Sequence, residues 1–117
     1  MQSTIGMIML DLISEQFINE LRFSESFCRG KFRIKRWGKI KIKNELKIKK
    51  ISEICINKGL LQIEDKEYLN TLQQLYEKKR NSLKEKNQFI RNGKISKYLQ
   101  QKGFESNLIW ELINKDK

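Results

Sequence analysis

Apolar residues recur three and four positions apart along most of the chain, the spacing that places side chains on one face of a helix. In the second half this spacing predicts a long helix from Glu64, with an inward face formed by Tyr68, Leu69, Leu72, Leu75, Tyr76 and Leu83. A polar break from Asn87 to Gly93 precedes a second helix that stops at Gly103, and a third helix runs on from Phe104. The sequence contains no proline, which favours helix throughout.

Residues 31 to 43 allow two local interpretations. Polar and apolar side chains alternate on either side of Trp37-Gly38, which is typical of a β-hairpin. A helix is the preferred interpretation, because Asn19 is a suitable N-cap for the segment that follows it. One face of that helix would carry Phe23, Phe27, Ile34 and Trp37. Farther along, Ser52 and Gly59 are expected to begin and end a short helix.

The two halves of the chain also resemble each other. At an offset of 53 residues, Lys41-Ile42 and Leu46 correspond to Lys94-Ile95 and Leu99. At an offset of 45 residues, Ile18-Asn19 and Phe23 correspond to Ile63-Glu64 and Tyr68. This predicts an all-α fold of tandem three-helix repeats in an elongated, curved array. The expected units are 16–62 and 63–117, and residues 1–15 are expected to be the last helix of an incomplete first repeat.

The net charge of +11 over 117 residues lies almost entirely in one window. Residues 29–58 contain twelve basic and two acidic side chains, whereas residues 1–28 are net acidic and residues 59–117 mix both signs. A polyanion would neutralise such a window, so we expect contact with nucleic acid or with an acidic partner, without sequence specificity. A membrane-surface helix is disfavoured, because the apolar residues are interleaved with the charges rather than gathered on one face.

The candidate binding residues are Arg29, Lys31, Arg33, Lys35, Arg36, Trp37, Lys39, Lys41, Lys43 and Lys47. Trp37 could stack on a base, although a core position between helices is the more economical interpretation. Glu64, Asp65 and Glu67 form the densest acidic cluster, which at a helix start is expected to interact with the helix dipole.

The chain contains no histidine, which removes the usual general base and the commonest metal ligand. Cys28 and Cys55 have no metal-site or redox spacing and are expected to be buried, reduced thiols. No catalytic residue, metal, cofactor or small-molecule substrate is predicted, and a cytoplasmic location is expected. From these features alone, a small basic helical protein that binds DNA or RNA directly is also a reasonable interpretation.

Several stretches, in order, resemble the RecX family of regulators of the RecA recombinase. They are Phe17 to Phe23, Arg29-Gly30-Lys31-Phe32-Arg33, Trp37 to Ile42 with Leu46, Lys94-Ile95 with Tyr98-Leu99, and Lys102-Gly103-Phe104-Glu105. The sequence departs from the family at three positions. The family usually has small or aliphatic residues at the positions of Ser24 and Cys28, and it often has glycine at the position of Lys50. Family members usually have a further three-helix unit, of which Met1 to Leu12 resembles only the last helix.

The resemblance implies a protein that acts by binding alone. It would lie in the helical groove of the RecA filament on single-stranded DNA and restrain ATP hydrolysis and strand exchange. Its expected partners are therefore the RecA filament and single-stranded DNA, and its expected role is the regulation of DNA repair, homologous recombination and the SOS response.

Overall fold

The computed structural model describes the backbone of residues 2–115 and the side chains of residues 14–115. All regular structure in this part of the chain is helical, as predicted. The six helices are α1 Gln2–Lys35, α2 Lys39–Ile48, α3 Glu53–Leu60, α4 Asp65–Ser82, α5 Gln88–Lys102 and α6 Ser106–Lys115. They form an elongated body of 75 × 22 × 20 Å. None of the described helices is long and apolar enough to cross a membrane.

Helix α1 differs from the prediction in its start and in its buried face. Asn19 lies inside the helix and is not its N-cap, and the expected boundary between residues 15 and 16 falls within the same helix. Phe23 and Ile34, predicted to face inward, are 44% and 80% exposed. The inward positions are instead Ser24, Cys28 and Phe32. The side chains of residues 1–13, which include most of the expected remnant helix, lie outside the described ones.

The packing of α1 against α3 explains this rotated face. The hydroxyl of Ser24 donates a 2.7 Å hydrogen bond to the carbonyl of Cys55, so a small polar residue is satisfied at a fully buried position. A Cβ placed on Gly59 would lie 2.2 Å from the Ser24 oxygen. Gly59 therefore lets α1 and α3 approach each other closely. It lies inside α3, so the prediction that it ends this helix is wrong.

Two other helix ends follow their sequence signals. Ser52 caps α3 as predicted, since its hydroxyl accepts from the Cys55 amide. Gly103 ends α5 as predicted, in the left-handed conformation with φ 101°. Both signals are local, because the capping residue acts on amides or carbonyls of the adjoining turn.

The start of α5 differs from the prediction. The side chain of Asn87 caps this helix, and it accepts hydrogen bonds from the Phe89 and Ile90 amides at 3.0 and 3.2 Å. The helix therefore begins at Gln88, and Gly93 lies inside it. The predicted polar break is wrong beyond Asn87, because a capped first turn lets polar residues join the helix.

Helix α4 follows the prediction over most of its inward face. It begins at Asp65, directly after Glu64, and its buried residues are Tyr68, Leu72, Leu75 and Tyr76. Leu69, which was also predicted to face inward, is 49% exposed. Leu83 follows the end of the helix and packs, partly buried, against the core.

The offset of 53 residues between the repeats is visible in the structure. Ile42 and Leu46 are fully buried, as are their counterparts Ile95 and Leu99. At the ends of these helices the amide of Ile51 donates to the carbonyl of Leu46, at 3.1 Å, and the amide of Phe104 donates to that of Leu99, at 3.2 Å. The offset of 45 is wrong for the first helices, because Phe23 is exposed and Tyr68 is buried.

The two repeats share one hydrophobic core. It joins Phe32 of α1 and Ile42 of α2 to Tyr68 of α4 and Phe104, which precedes α6. The rings of Phe32 and Phe104 lie 5.8 and 5.2 Å from the ring of Tyr68. The junction between the repeats is thus part of the folded core and places the basic window of the first repeat against the second.

Candidate nucleic-acid and partner interface

The basic window turns sharply where α1 ends. Arg36 adopts the left-handed conformation, with φ 56°, and the amide of Trp37 donates a 3.2 Å hydrogen bond to the carbonyl of Lys31. Helices commonly end in this conformation, although glycine is its usual residue. The turn brings Trp37 beside α1, where its ring is half-buried against the core and lies 5.0 Å from Nζ of Lys31 and 4.6 Å from Nζ of Lys41.

The second repeat supplies partners for the first amides of α2. The amide of Lys39 donates to the hydroxyl of Tyr68 at 2.9 Å, and the amide of Ile40 donates to the carbonyl of Gly103 at 3.0 Å. These amides have no partner within their own helix, so the end of α5 and the start of α4 cap α2. The hydroxyl of Tyr68 in turn donates to the carboxylate of Glu105. Burial, followed by the hydrogen bond to Glu105, raises the pKa of Tyr68 far above its ordinary value.

Two of the candidate cations have acidic partners in α4. Nε of Arg33 lies 3.7 Å from a carboxylate oxygen of Glu67, and Nζ of Lys39 lies 3.6 Å from one of Asp65. The acidic first turn of α4 therefore neutralises part of the basic window, in addition to its favourable position at a helix N-terminus. Sequence separation hides these pairs, because the acidic residues lie in the other repeat.

A second group of cations gathers at the junction between the repeats. We call it the junction cluster, and we define it as Lys102 together with the four cations whose charges act on it, Lys35, Arg36, Lys41 and Lys78. Nζ of Lys102, at the end of α5, donates a 3.1 Å hydrogen bond to the carbonyl of Lys35, at the end of α1. Desolvation lowers the pKa of Lys102, and the charges of the other four residues lower it further. Among the side chains of residues 14–115, no ion pair involves a member of this cluster.

The structure thus distributes the candidate binding residues over different surroundings. Arg33, Lys35, Arg36 and Lys47 are exposed, whereas the half-buried ones are Arg29, Lys31, Trp37, Lys39, Lys41 and Lys43. Arg29 donates a 3.1 Å hydrogen bond to Gln62. Lys78 and Lys102 were missed by sequence reasoning, because they lie in the segment whose charges are mixed. The Lys102-Gly103 pair at a predicted helix end was the available signal for one of them.

The two cysteines lie at the packed interface of α1 and α3. Cys28 and Cys55 are both fully buried, as predicted, and neither forms a disulfide. Burial raises the pKa of the Cys28 thiol from 9.0 to about 11. A thiol with a raised pKa is a poor nucleophile at neutral pH. In the described part of the chain, no group of three histidine, cysteine or acidic residues could hold a metal ion.

Comparison with known families places these features in one class of protein. Residues 19–60 match the second three-helix domain of RecX, and residues 65–113 match the third three-helix domain of RecX. The chain therefore belongs to the RecX family. Members of this family are generally regulators of the RecA recombinase rather than enzymes. Neither the curated proteins nor the solved structures gave a match to this chain.

Proposed function

We propose that this protein restrains RecA filaments on single-stranded DNA by binding in the helical groove of the filament. The family match over both repeats is the observation that carries the proposal. The elongated body of 75 × 22 × 20 Å supports it, because a long, thin protein can follow a groove and contact several protomers. Bound in this way, the protein opposes the changes in the filament that accompany ATP hydrolysis and strand exchange, and it catalyses no reaction itself.

The basic window supplies the contacts to phosphates and to acidic side chains of the filament. The candidate residues that are exposed and have no acidic partner among the side chains of residues 14–115 are best placed for this role, as at Lys35 and Arg36. Arg33 and Lys39 are partly neutralised by their acidic partners in α4 and therefore contribute less to these contacts. The protein acts in the cytoplasm, where it regulates DNA repair and homologous recombination during the SOS response.

The decisive experiment measures ATP hydrolysis by RecA assembled on single-stranded DNA while this protein is added well below one copy per RecA protomer. We expect a marked fall in hydrolysis. A variant with Lys35→Gln, Arg36→Gln and Lys41→Gln should inhibit weakly. Its matched control is Lys84→Gln, Lys86→Gln and Lys115→Gln, which removes the same charge at exposed lysines outside the basic window.

The alternative function, direct binding of DNA or RNA, makes a different prediction. It predicts equal affinity for bare single-stranded DNA and for the RecA-coated strand, and no effect on hydrolysis at saturating protein. That result would contradict filament regulation. Inhibition that persists equally in the triple variant and its control would retain filament regulation but contradict the role proposed for the basic window.

A further inference from the structure

The junction cluster combines five cations, none of which has an ion-pair partner among the side chains of residues 14–115. Its five residues come from the end of α1, the turn after it, α2, α4 and the end of α5, so both repeats contribute. The side chain of Lys102 is held against the end of α1 by its hydrogen bond to the Lys35 carbonyl. The carbonyls at the end of α1 offset only part of the repulsion, because a helix C-terminus carries about half of one negative charge.

We propose that the junction cluster is a phosphate-binding site for the backbone of single-stranded nucleic acid, completed by Lys78 and Lys102 from the second repeat. This inference rests on the proposed function, whose DNA contact it assigns to a particular place. The geometry supports it, since the bond between Lys102 and Lys35 and the bond from the Gly38 amide to the Lys102 carbonyl, at 2.7 Å, fix the two repeats at this point. A phosphate here would replace repulsion among the cations by attraction.

The surroundings of the cluster favour nucleic acid over an acidic protein surface. Trp37 follows Arg36 directly, and Lys41 of the cluster lies over its ring at 4.6 Å. An aromatic ring beside a group of phosphate-binding cations is the arrangement that proteins use for single strands, with stacking beside backbone contacts. The lysines of the cluster can bind a phosphate as point charges, because an ammonium group needs no bidentate geometry.

The test measures binding of a fluorescent oligo-dT to the full chain, without RecA, over a range of salt concentrations. The variant is Lys78→Gln with Lys102→Gln, and the matched control is Lys84→Gln with Lys115→Gln, two exposed lysines outside the basic window. If each residue of the first pair neutralises one phosphate, the slope of log affinity against log salt should fall by about 1.4. The same relation gives an affinity loss of about 25-fold at 0.1 M salt. The control should keep the slope of the unchanged protein.

Thermal unfolding without DNA shows whether each variant is folded, because Lys102 also donates a hydrogen bond to α1. A Lys78→Gln single variant retains that bond, and its slope of log affinity against log salt should change by about half as much as that of the double variant. Equal weakening by the variant and its control would overturn the proposal, since net charge alone would then explain binding. Normal DNA binding with lost inhibition of RecA would also overturn it and would assign the cluster to an acidic protein surface, leaving the proposed function intact.

Discussion

Gly38 and Gly103 lie backbone to backbone where the two repeats meet. A Cβ placed on Gly38 would lie 2.2 Å from the carbonyl carbon of Gly103, and one placed on Gly103 would lie 2.4 Å from Cβ of Lys41. Gly38 is the N-cap of α2 and makes no side-chain cap hydrogen bond. The end of α5 takes over that role, because the carbonyl of Gly103 accepts from the Ile40 amide. Close approach of the two glycines is therefore what allows one repeat to cap the other.

Substitution of Gly38 by alanine should lower the free energy of unfolding by about 3 kcal/mol or more, because the new methyl group meets backbone that no rotamer change can move. Gly93→Ala is the matched control. A Cβ at Gly93, inside α5, would lie more than 4 Å from every atom beyond the adjoining helix backbone and should raise stability by about 0.5–1 kcal/mol. Urea unfolding of both variants checks this prediction. Similar stability for the two variants would contradict it.

The same contact shows how far the sequence predicts the fold. Helical periodicity and capping residues suffice for the end of α5 at Gly103 and for the start of α3 after Ser52, because these are local signals. The prediction for the buried face of α1 is wrong at Phe23 and Ile34, which are exposed, whereas Phe27 packs, partly buried, against the core as expected. Large apolar side chains were expected inside, whereas close packing against Gly59 selects the small residues Ser24 and Cys28.

The candidate site is predictable only within its own repeat. The basic window is evident as a run of charge, but Asp65 and Glu67, which neutralise part of it, lie about thirty positions away in sequence from their partners. Lys102 likewise joins the junction cluster only through the packing of α5 against the start of α2. Contacts between repeats depend on tertiary structure, which local patterns do not contain.

Lys50 occupies the position that corresponds to Gly103 at the offset of 53 residues, and it adopts the same left-handed conformation, with φ 63°. Because a side chain is strained there, Lys50→Gly should raise the free energy of unfolding by about 1 kcal/mol. Lys49→Gly is the control, since Lys49 has φ −77° and glycine brings only added freedom to the unfolded chain. Urea unfolding should show opposite signs for these neighbouring changes. A loss of stability in Lys50→Gly would contradict the prediction.

Tyr68→Phe should destabilise the protein by about 1–2 kcal/mol, because it removes the acceptor of the Lys39 amide and the donor to Glu105 while it retains the ring. Thermal or urea unfolding measures the loss. Tyr98→Phe is the control. The Tyr98 ring is half-buried beside Nζ of Lys79, at 4.9 Å, and its hydroxyl forms no hydrogen bond with the side chains of residues 14–115. Equal effects of the two substitutions would show that the hydrogen bonds of the Tyr68 hydroxyl to Lys39 and Glu105 add no stability.

The buried thiol of Cys28 should make stability depend on pH above 9. Its pKa is raised from 9.0 to about 11 by burial, so between these values the unfolded chain loses the thiol proton while the folded chain keeps it. The folded state then binds more protons, and stability must fall as the pH rises, by at most about 1.4 kcal/mol per pH unit for one group. Urea unfolding at a series of pH values from 8 to 10 should show this fall.

Cys28→Ala removes the titrating group and separates its effect from that of other residues. The variant should be less stable than the unchanged protein at pH 8, because the smaller side chain leaves a cavity at a fully buried position. Its stability should nevertheless decline less between pH 9 and 10, and the two curves should approach each other. Parallel curves over this range would mean that the Cys28 thiol ionises equally readily in the folded and unfolded chains, contrary to the effect of its burial.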